Sequence, residues 1–124
     1  MREIKFRGMD ISDCWHYGML SKKDNRFYIS NRAGMAYAYE VRTKTVGQYT
    51  CLKDINGKEI YEGDILITKD IEGKKYQTCV TYENGMFLSG EEPLYDDVFL
   101  FEAEVVGNIY ENPELLDDGN KRNQ

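Results

Sequence analysis

The sequence predicts a mainly β protein that folds as a small barrel or sandwich. Its 124 residues are the length of one domain, and a hydrophobic fraction of 41% allows one modest core. Ten Tyr and five Phe, with eleven Gly and only two Pro, favour strands over a bundle of helices. Short apolar segments separated by turn signals at intervals of roughly ten residues are typical of small all-β folds.

The N-terminal region contains candidate strands in which polar and apolar residues alternate. In the segment Glu3–Arg7, charged residues alternate with Ile4 and Phe6, which predicts a strand with those two side chains in the core. The segment 15–19 keeps the same period, and a turn leads from it to an antiparallel partner at 27–29.

Turns are marked most strongly after residue 45. The segments Asp54–Lys58 and Asp70–Lys74 share the pattern Asp-Ile-x-Gly-Lys. In such a turn the aspartate accepts backbone N–H bonds and the glycine adopts a positive φ after a type I turn. The pair Asn84-Gly85 is typical of a two-residue type I′ hairpin turn. The residues assigned to turns are Asp54, Asn56, Gly57, Gly63, Asp64, Asn84 and Gly85.

The oxygen-rich segment 54–65 raises the alternative of a calcium-binding loop, and its spacing argues against one. An EF-hand needs oxygen ligands at positions 1, 3 and 5 and a bidentate Glu at position 12. With Asp54 at position 1, Lys58 and Ile65 occupy ligand positions. Cys14 and His16 lie two residues apart and lack further ligands at zinc-site spacing. The sequence therefore predicts no metal site and no cofactor.

The C-terminal part predicts two strands, at 98–101 and 105–109, followed by a short helical turn. Asn112 is a suitable N-cap for that turn and Pro113 a suitable first residue. Residues 117–124 contain no apolar residue and are predicted to be disordered.

No arrangement of residues in the sequence predicts catalysis. Glu59, Glu62 and Asp64 form the best carboxylate group, and their polar strand-turn setting favours solvated charges over an acid-base pair. The acidic run 91–97 is predicted to be a solvated loop, with binding of a cation or a basic partner as the alternative. Phosphate-loop, dinucleotide-binding and nucleophile-elbow motifs are absent from the sequence. We therefore predict no catalytic residue and a non-enzymatic protein.

Charge is distributed unevenly along the chain. Residues 1–50 carry nine Lys and Arg against five Asp and Glu, whereas residues 51–124 carry seven against seventeen. The net charge of −6 opposes general binding of nucleic acid, because a negative field repels phosphates. The basic half keeps a nucleic-acid-binding regulator as the alternative function. Opposite charges on the two halves also predict a homo-oligomer, unless the charges interleave on the surface of a monomer.

Three segments spread over the chain resemble the YopX family: the opening MREIKFR, the central VGQYTCLKDINGKEIYEGDIL and the closing VVGNIYENPELL. The resemblance implies a protein encoded by a phage or prophage, with an SH3-like β-barrel in the second part of the chain. It implies no activity. We therefore expect an N-terminal β-rich variable region at 1–44, an SH3-like barrel at 45–116 and the tail at 117–124.

The expected function is interaction with a host or phage protein in the bacterial cytoplasm. The opening residues lack the apolar stretch of a secretion signal, and no segment reaches the roughly 18 apolar residues of a membrane span. Tyrosines favour interfaces because they combine apolar area with a polar tip, although β cores also use them. The candidate interaction residues are Tyr37, Tyr39, Tyr49, Arg2, Lys5 and Arg7.

Overall fold

A computed structural model describes residues 2–31 and 37–116, and the predicted tail at 117–124 lies outside them. The architecture is mainly β with antiparallel sheets, as the sequence predicts. The chain divides into two compact units, Met1–Cys51 and Leu52–Gln124. This boundary lies later than the expected division at residue 45, because the strand that begins at Gly47 pairs first within the N-terminal sheet.

The first unit contributes five neighbouring strands, in the order β4-β3-β2-β1-β5, to a six-stranded sheet. Its strands are β1 (Phe6–Met9), β2 (Trp15–Lys23), β3 (Arg26–Ser30), β4 (Tyr39–Val41) and β5 (Gly47–Lys53), and a 3-10 helix at Thr43–Thr45 joins the last two. β2 and β3 form a hairpin through Asp24 and Asn25, which both have positive φ, as a type I′ turn requires. The Thr45 hydroxyl accepts a hydrogen bond from Met9 N at 2.8 Å, and this fixes the 3-10 helix against β1.

The first strand begins later than its alternating pattern predicts. Ile4 was expected in the core, and it is 51% exposed because pairing with β2 starts at Phe6. Met9 is buried instead, and Gly8 lies so close to Val41 of β4 that an added Cβ would be 2.8 Å from the Val41 Cβ. The absence of a side chain at Gly8 therefore permits β4 to approach β1.

The second unit contains an open antiparallel sheet with the order β10-β9-β8-β7-β11. Its elements are β6 (Glu59–Tyr61), β7 (Asp64–Lys69), β8 (Lys75–Glu83), β9 (Met86–Ser89), β10 (Glu92–Pro93), α1 (Leu94–Leu100), β11 (Glu104–Asn108) and a 3-10 helix at Pro113–Leu116. Within the described residues, edge strands β10 and β11 pair with one neighbour each. The sheet is therefore open, and the SH3-like barrel that the family resemblance implies stays a prediction.

The predicted strand at 98–101 is wrong, since most of that segment belongs to α1. Leu94 and Val98 lie one helical turn apart and pack on the same side, against a buried cluster that also contains Ile60, Leu66, Val80 and Ala103. Helical spacing therefore decides which apolar residues of this segment enter the core. In the sequence, the helix follows β10 and precedes β11.

The hairpin between β5 and β6 is closed by a turn at residues 54–58. Asp54 Oδ1 accepts hydrogen bonds from Asn56 N at 2.9 Å and Lys58 N at 2.8 Å. Gly57 N donates to Asp54 O at 2.9 Å, and Gly57 has a φ of +82°. The segment is thus a type I turn followed by a left-handed residue, which is the conformation that the Asp-Ile-x-Gly-Lys pattern predicts.

The same turn is present at residues 70–74 and, without having been predicted, at residues 10–14. In each, the aspartate Oδ1 accepts backbone hydrogen bonds from the residues two and four positions later, at 2.9 and 2.9 Å for Asp70 and at 2.8 and 3.0 Å for Asp10. Asp13 occupies the glycine position of the first copy, with a φ of +63°. Aspartate adopts this conformation more readily than most residues, so the turn forms there without a glycine.

Replacement of Gly57 tests the backbone requirement of this turn. Apart from its chain neighbours, no atom of the described residues lies within 4 Å of a Cβ added at Gly57, so the conformation alone decides the effect. We expect Gly57→Val to lower the free energy of unfolding by about 1 to 3 kcal/mol, because a β-branched residue is strained at this φ. Gly57→Asn is the matched control and should cost less than about 1 kcal/mol. Urea denaturation measures both, and equal losses would contradict the explanation.

Candidate functional site

Helix α1 presents apolar side chains on its outer side as well as on its inner side. Tyr95, Phe99 and Leu100 are 60, 61 and 67% exposed, whereas Leu94 is fully buried. The Tyr95 and Phe99 rings lie one helical turn apart, with centroids separated by 4.4 Å and planes tilted by 34°. We call these three side chains the aromatic ridge. Contact between the two rings restricts their rotamers and makes their apolar surfaces contiguous.

Acidic residues precede and follow Tyr95, the first residue of this ridge, in the sequence. Glu91 and Glu92 are exposed directly before the helix, and Asp96 is half-buried within it. The run 91–97 was predicted to be a solvated loop. That prediction is wrong, because the run forms β10 and the start of α1 and because Asp97 is fully buried. The other three carboxylates are near the ridge in the sequence, since Glu91 and Glu92 precede the helix and Asp96 follows Tyr95.

Reasoning from the sequence did not identify the ridge. The stretch LYDDVFL contains two apolar pairs at helical spacing, Leu94 with Val98 and Tyr95 with Phe99. Reading 98–101 as a strand hid the second pair. The helical period of 94–100 was the signal that could have revealed an inner and an outer apolar side.

The first unit contains a polar cluster around its single histidine. His16 Nε2 donates to Asp10 Oδ2 at 2.8 Å, and the His16 ring stacks on Tyr39 with centroids 4.1 Å apart. The His16 hydrogen bond, together with that from Cys14 N, lowers the pKa of the Asp10 carboxyl below its ordinary value. Asp10 Oδ1 meanwhile holds the turn at residues 10–14. The cluster therefore ties this turn to β2 and β4, which is a positioning role.

A cleft of about 340 Å³ lies beside this cluster, and among the described residues it is lined by Ile11, Glu40, Val41 and Arg42. The Arg42 guanidinium donates to Ile11 O at 2.9 Å and approaches Asp13 Oδ1 at 2.8 Å. These contacts engage the arginine with the 10–14 turn. The exposed charge pair contributes little to stability, since solvent screens it.

The three candidate tyrosines lie in different environments. Tyr37 is 74% exposed and Tyr39 46% exposed, so both are available to a partner. Tyr49 is only 5% exposed and belongs to the interior of the first unit. Tyr49 lies on β5, and its backbone N–H donates to Lys5 O at 2.9 Å. This hydrogen bond joins β5 to the N-terminal segment, and the burial of Tyr49 follows from that position.

The three candidate cations are also separated by burial. Arg2 is exposed, whereas Arg7 is 6% exposed with its guanidinium 4.6 Å from the centroid of the Trp15 ring. Lys5 Nζ lies 5.1 Å from the centroid of the Tyr49 ring. Cation–π contact and burial make Arg7 an internal residue of this unit, which removes it from the basic surface that the sequence suggests.

Asp64 was expected to be a solvated charge, and it is only 2% exposed. Its Oδ2 accepts a hydrogen bond from Tyr61 N at 2.8 Å, which holds the bend between β6 and β7. Gly63 in this bend has a φ of +90°. Burial, with a smaller contribution from the Asp64 charge, raises the pKa of the Cys79 thiol to about 11. The segment 59–64 thus has a structural role, since Gly63 and Asp64 form the bend between β6 and β7.

Two further observations concern metal binding and membranes. Across residues 2–31 and 37–116, no three His, Cys, Asp or Glu side chains are grouped so that they could hold a metal ion. None of the helices in that part of the chain has the length and apolar character needed to span a bilayer.

The fold and these sites define a mainly β protein with an aromatic ridge on its second unit. Residues 8–117 match the family described as YopX protein. The chain belongs to this family. It is also similar to the crystal structure of protein EF1440 from Enterococcus faecalis, with 25% sequence identity and a TM-score of 0.63 over 94% of this chain and 99% of that one. No match was found among curated proteins.

The contact between Asp10 and His16 can be tested by its pH dependence. Asp10→Asn keeps an oxygen for the turn and loses the carboxylate oxygen that accepts from His16, so we expect a lower Tm at pH 7. The folded-state pKa of Asp10 is depressed. Its stabilisation is therefore present above the unfolded pKa and is lost as the pH falls through the folded pKa. The Tm difference should shrink below about pH 4.

The control for this test is Asp13→Asn, which keeps a residue suited to positive φ and removes only an exposed charge pair. Thermal melts followed by circular dichroism from pH 7 to pH 3 measure both variants. A Tm difference for Asp10→Asn that does not change with pH would contradict the role of the carboxylate charge.

The raised pKa of Cys79 predicts slow alkylation. With a pKa of about 11, only about one thiol in a thousand is ionised at pH 8, and the thiolate is the reactive form. We expect iodoacetamide to label the exposed Cys14 well before Cys79 in the native protein. In urea all three cysteines should react. Labelling of Cys79 as fast as Cys14 at pH 8, measured by peptide mass spectrometry, would contradict this prediction.

Proposed function

We propose that this YopX-family protein is a non-enzymatic accessory protein that binds another protein through the aromatic ridge of α1. The observation that carries the proposal is the outward exposure of Tyr95, Phe99 and Leu100 on one short helix. Singly exposed apolar residues are ordinary on protein surfaces, whereas contiguous apolar patches mark interaction sites. Aromatic residues are also enriched among those that dominate binding energy.

The inner side of α1 supports the proposal by making the ridge rigid. Leu94 is fully buried in the core of the second unit, and Val98 packs against the same cluster. A helix anchored in this way holds its outer side chains in fixed positions, so binding costs less conformational entropy. The exposed tyrosines at 37 and 39 offer a second contact region on the first unit.

The wider setting of this function is also a proposal. We place the protein in the cytoplasm of a bacterium that carries the phage or prophage, with a host or phage protein as its partner. The SH3-like barrel, the homo-oligomer and the alternative of a nucleic-acid-binding regulator stay predictions.

Site-specific crosslinking tests the ridge as an interface. A photoreactive phenylalanine analogue replaces Phe99, and the protein is expressed and irradiated in bacterial cells. We expect discrete crosslinked products, because a residue within an interface lies against its partner. Ile71 is the matched control, since it is 94% exposed on a turn of the same unit. Equal or absent crosslinking at both positions, judged by immunoblot and mass spectrometry, would overturn the proposed function.

A further inference from the structure

We infer that the partner segment that binds the aromatic ridge is cationic and amphipathic, with Lys or Arg side chains flanking apolar ones. This inference rests on the proposed function and adds the chemistry of the partner. It is carried by the apolar exposure of the ridge and by the negative charge of the chain segment that contains it.

The ridge lies in a long stretch without positive charge. Residues 76–116 contain nine Asp and Glu and no Lys, Arg or His. Of these carboxylates, Glu91 and Glu92 are exposed directly before α1, and Asp96 follows Tyr95 within it. Glu102 instead forms an ion pair with Lys69, whose Nζ lies 3.8 Å from Glu102 Oε2.

This combination selects among classes of partner. An acidic surface repels nucleic acid and anionic lipid headgroups, because each of them brings further negative charge to the interface. A purely apolar segment would bury the rings and leave the adjacent carboxylates next to a nonpolar surface. A cationic amphipathic segment meets both requirements, since its apolar side chains cover Tyr95 and Phe99 while its cations pair with the carboxylates.

Synthetic peptides test the inference on the full chain. The probe is a fluorescein-labelled 18-residue peptide of Leu and Lys with helical periodicity, and the matched peptides carry Glu or Gln in place of Lys. We expect fluorescence anisotropy to show that the Lys peptide binds at least about tenfold more tightly than the Gln peptide. Its affinity should fall as salt rises from 50 to 500 mM, because the Debye length shortens.

Variants locate the binding surface. Tyr95→Ser with Phe99→Ser should weaken the Lys peptide by about tenfold or more, as loss of central aromatic contacts does. Glu91→Gln with Glu92→Gln should weaken it by several-fold and reduce its salt dependence. The matched controls are Ile71→Ser and Glu72→Gln, which remove an exposed apolar residue and an exposed carboxylate elsewhere on the unit.

Circular dichroism checks that each variant is folded. If the double Ser variant loses structure, Leu100→Ser replaces it as the ridge variant, since Leu100 is 67% exposed.

Four outcomes would overturn the inference. The first is equal binding of the Lys and Gln peptides to the ridge. The interface would then be purely apolar, so the cationic partner would be rejected while the proposed function would stand. The second is equal loss of binding in the Ile71 and Glu72 controls, which means nonspecific attraction to an acidic protein. The third is that light scattering detects a dimer of the protein in the absence of peptide and that the ridge variant is a monomer. The ridge would then bind a second copy of this chain. Crosslinking at Phe99 without peptide binding would likewise reject only the partner chemistry.

Discussion

Both oxygens of the Asp54 carboxylate accept hydrogen bonds from backbone N–H groups, and the second unit depends on this arrangement. Oδ1 holds the turn through Asn56 N and Lys58 N, while Oδ2 accepts from Val105 N of β11 at 2.9 Å. Ile55 N adds a bond to Ala103 O at 2.9 Å. Asp54 is only 6% exposed, and a buried carboxylate is tolerable where N–H donors replace water. One side chain thus joins the β5–β6 hairpin to the last strand.

The three related turns show one local structure used for three tertiary purposes. In each copy Oδ1 of the aspartate holds the turn itself. The second oxygen has a different partner in each: Val105 N for Asp54, the Tyr76 hydroxyl at 3.3 Å for Asp70 and His16 Nε2 for Asp10. The turn forms from local chemistry, and the free oxygen then attaches it to whichever element lies nearby.

Helix α1 links the core to the surface that we propose for binding. Its Leu94 side chain completes a cluster with Ile60, Leu66 and Val80, so the helix cannot rotate without opening that core. The same constraint fixes the outward direction of Tyr95 and Phe99. One seven-residue helix therefore contributes to stability through its inner side and carries the proposed binding surface on its outer side.

The sequence by itself determined the β class, the family and the position of the turns at 54–58, 70–74 and 84–85. A turn such as 54–58 is decided within five consecutive residues, because the bonds from Asn56 N and Lys58 N to Asp54 need no distant partner. The alternation of charged and apolar residues indicated strands for the same local reason. It did not place the first strand correctly, since pairing partners rather than pattern decide where a strand begins.

Only the tertiary structure decided what is buried and what α1 exposes. Val105 N and Asp54 are 51 residues apart in the sequence, so their contact has no local signal. The run from Val98 to Phe101 is apolar enough for a strand or a helix, and packing of Leu94 and Val98 into one core selects the helix. Arg7 and Tyr49 in the first unit and Asp97 in the second are likewise buried by packing within their own units, which a local pattern does not reveal. Side-chain exposure is a property of the assembled chain, because neighbours distant in sequence supply the surface that excludes water.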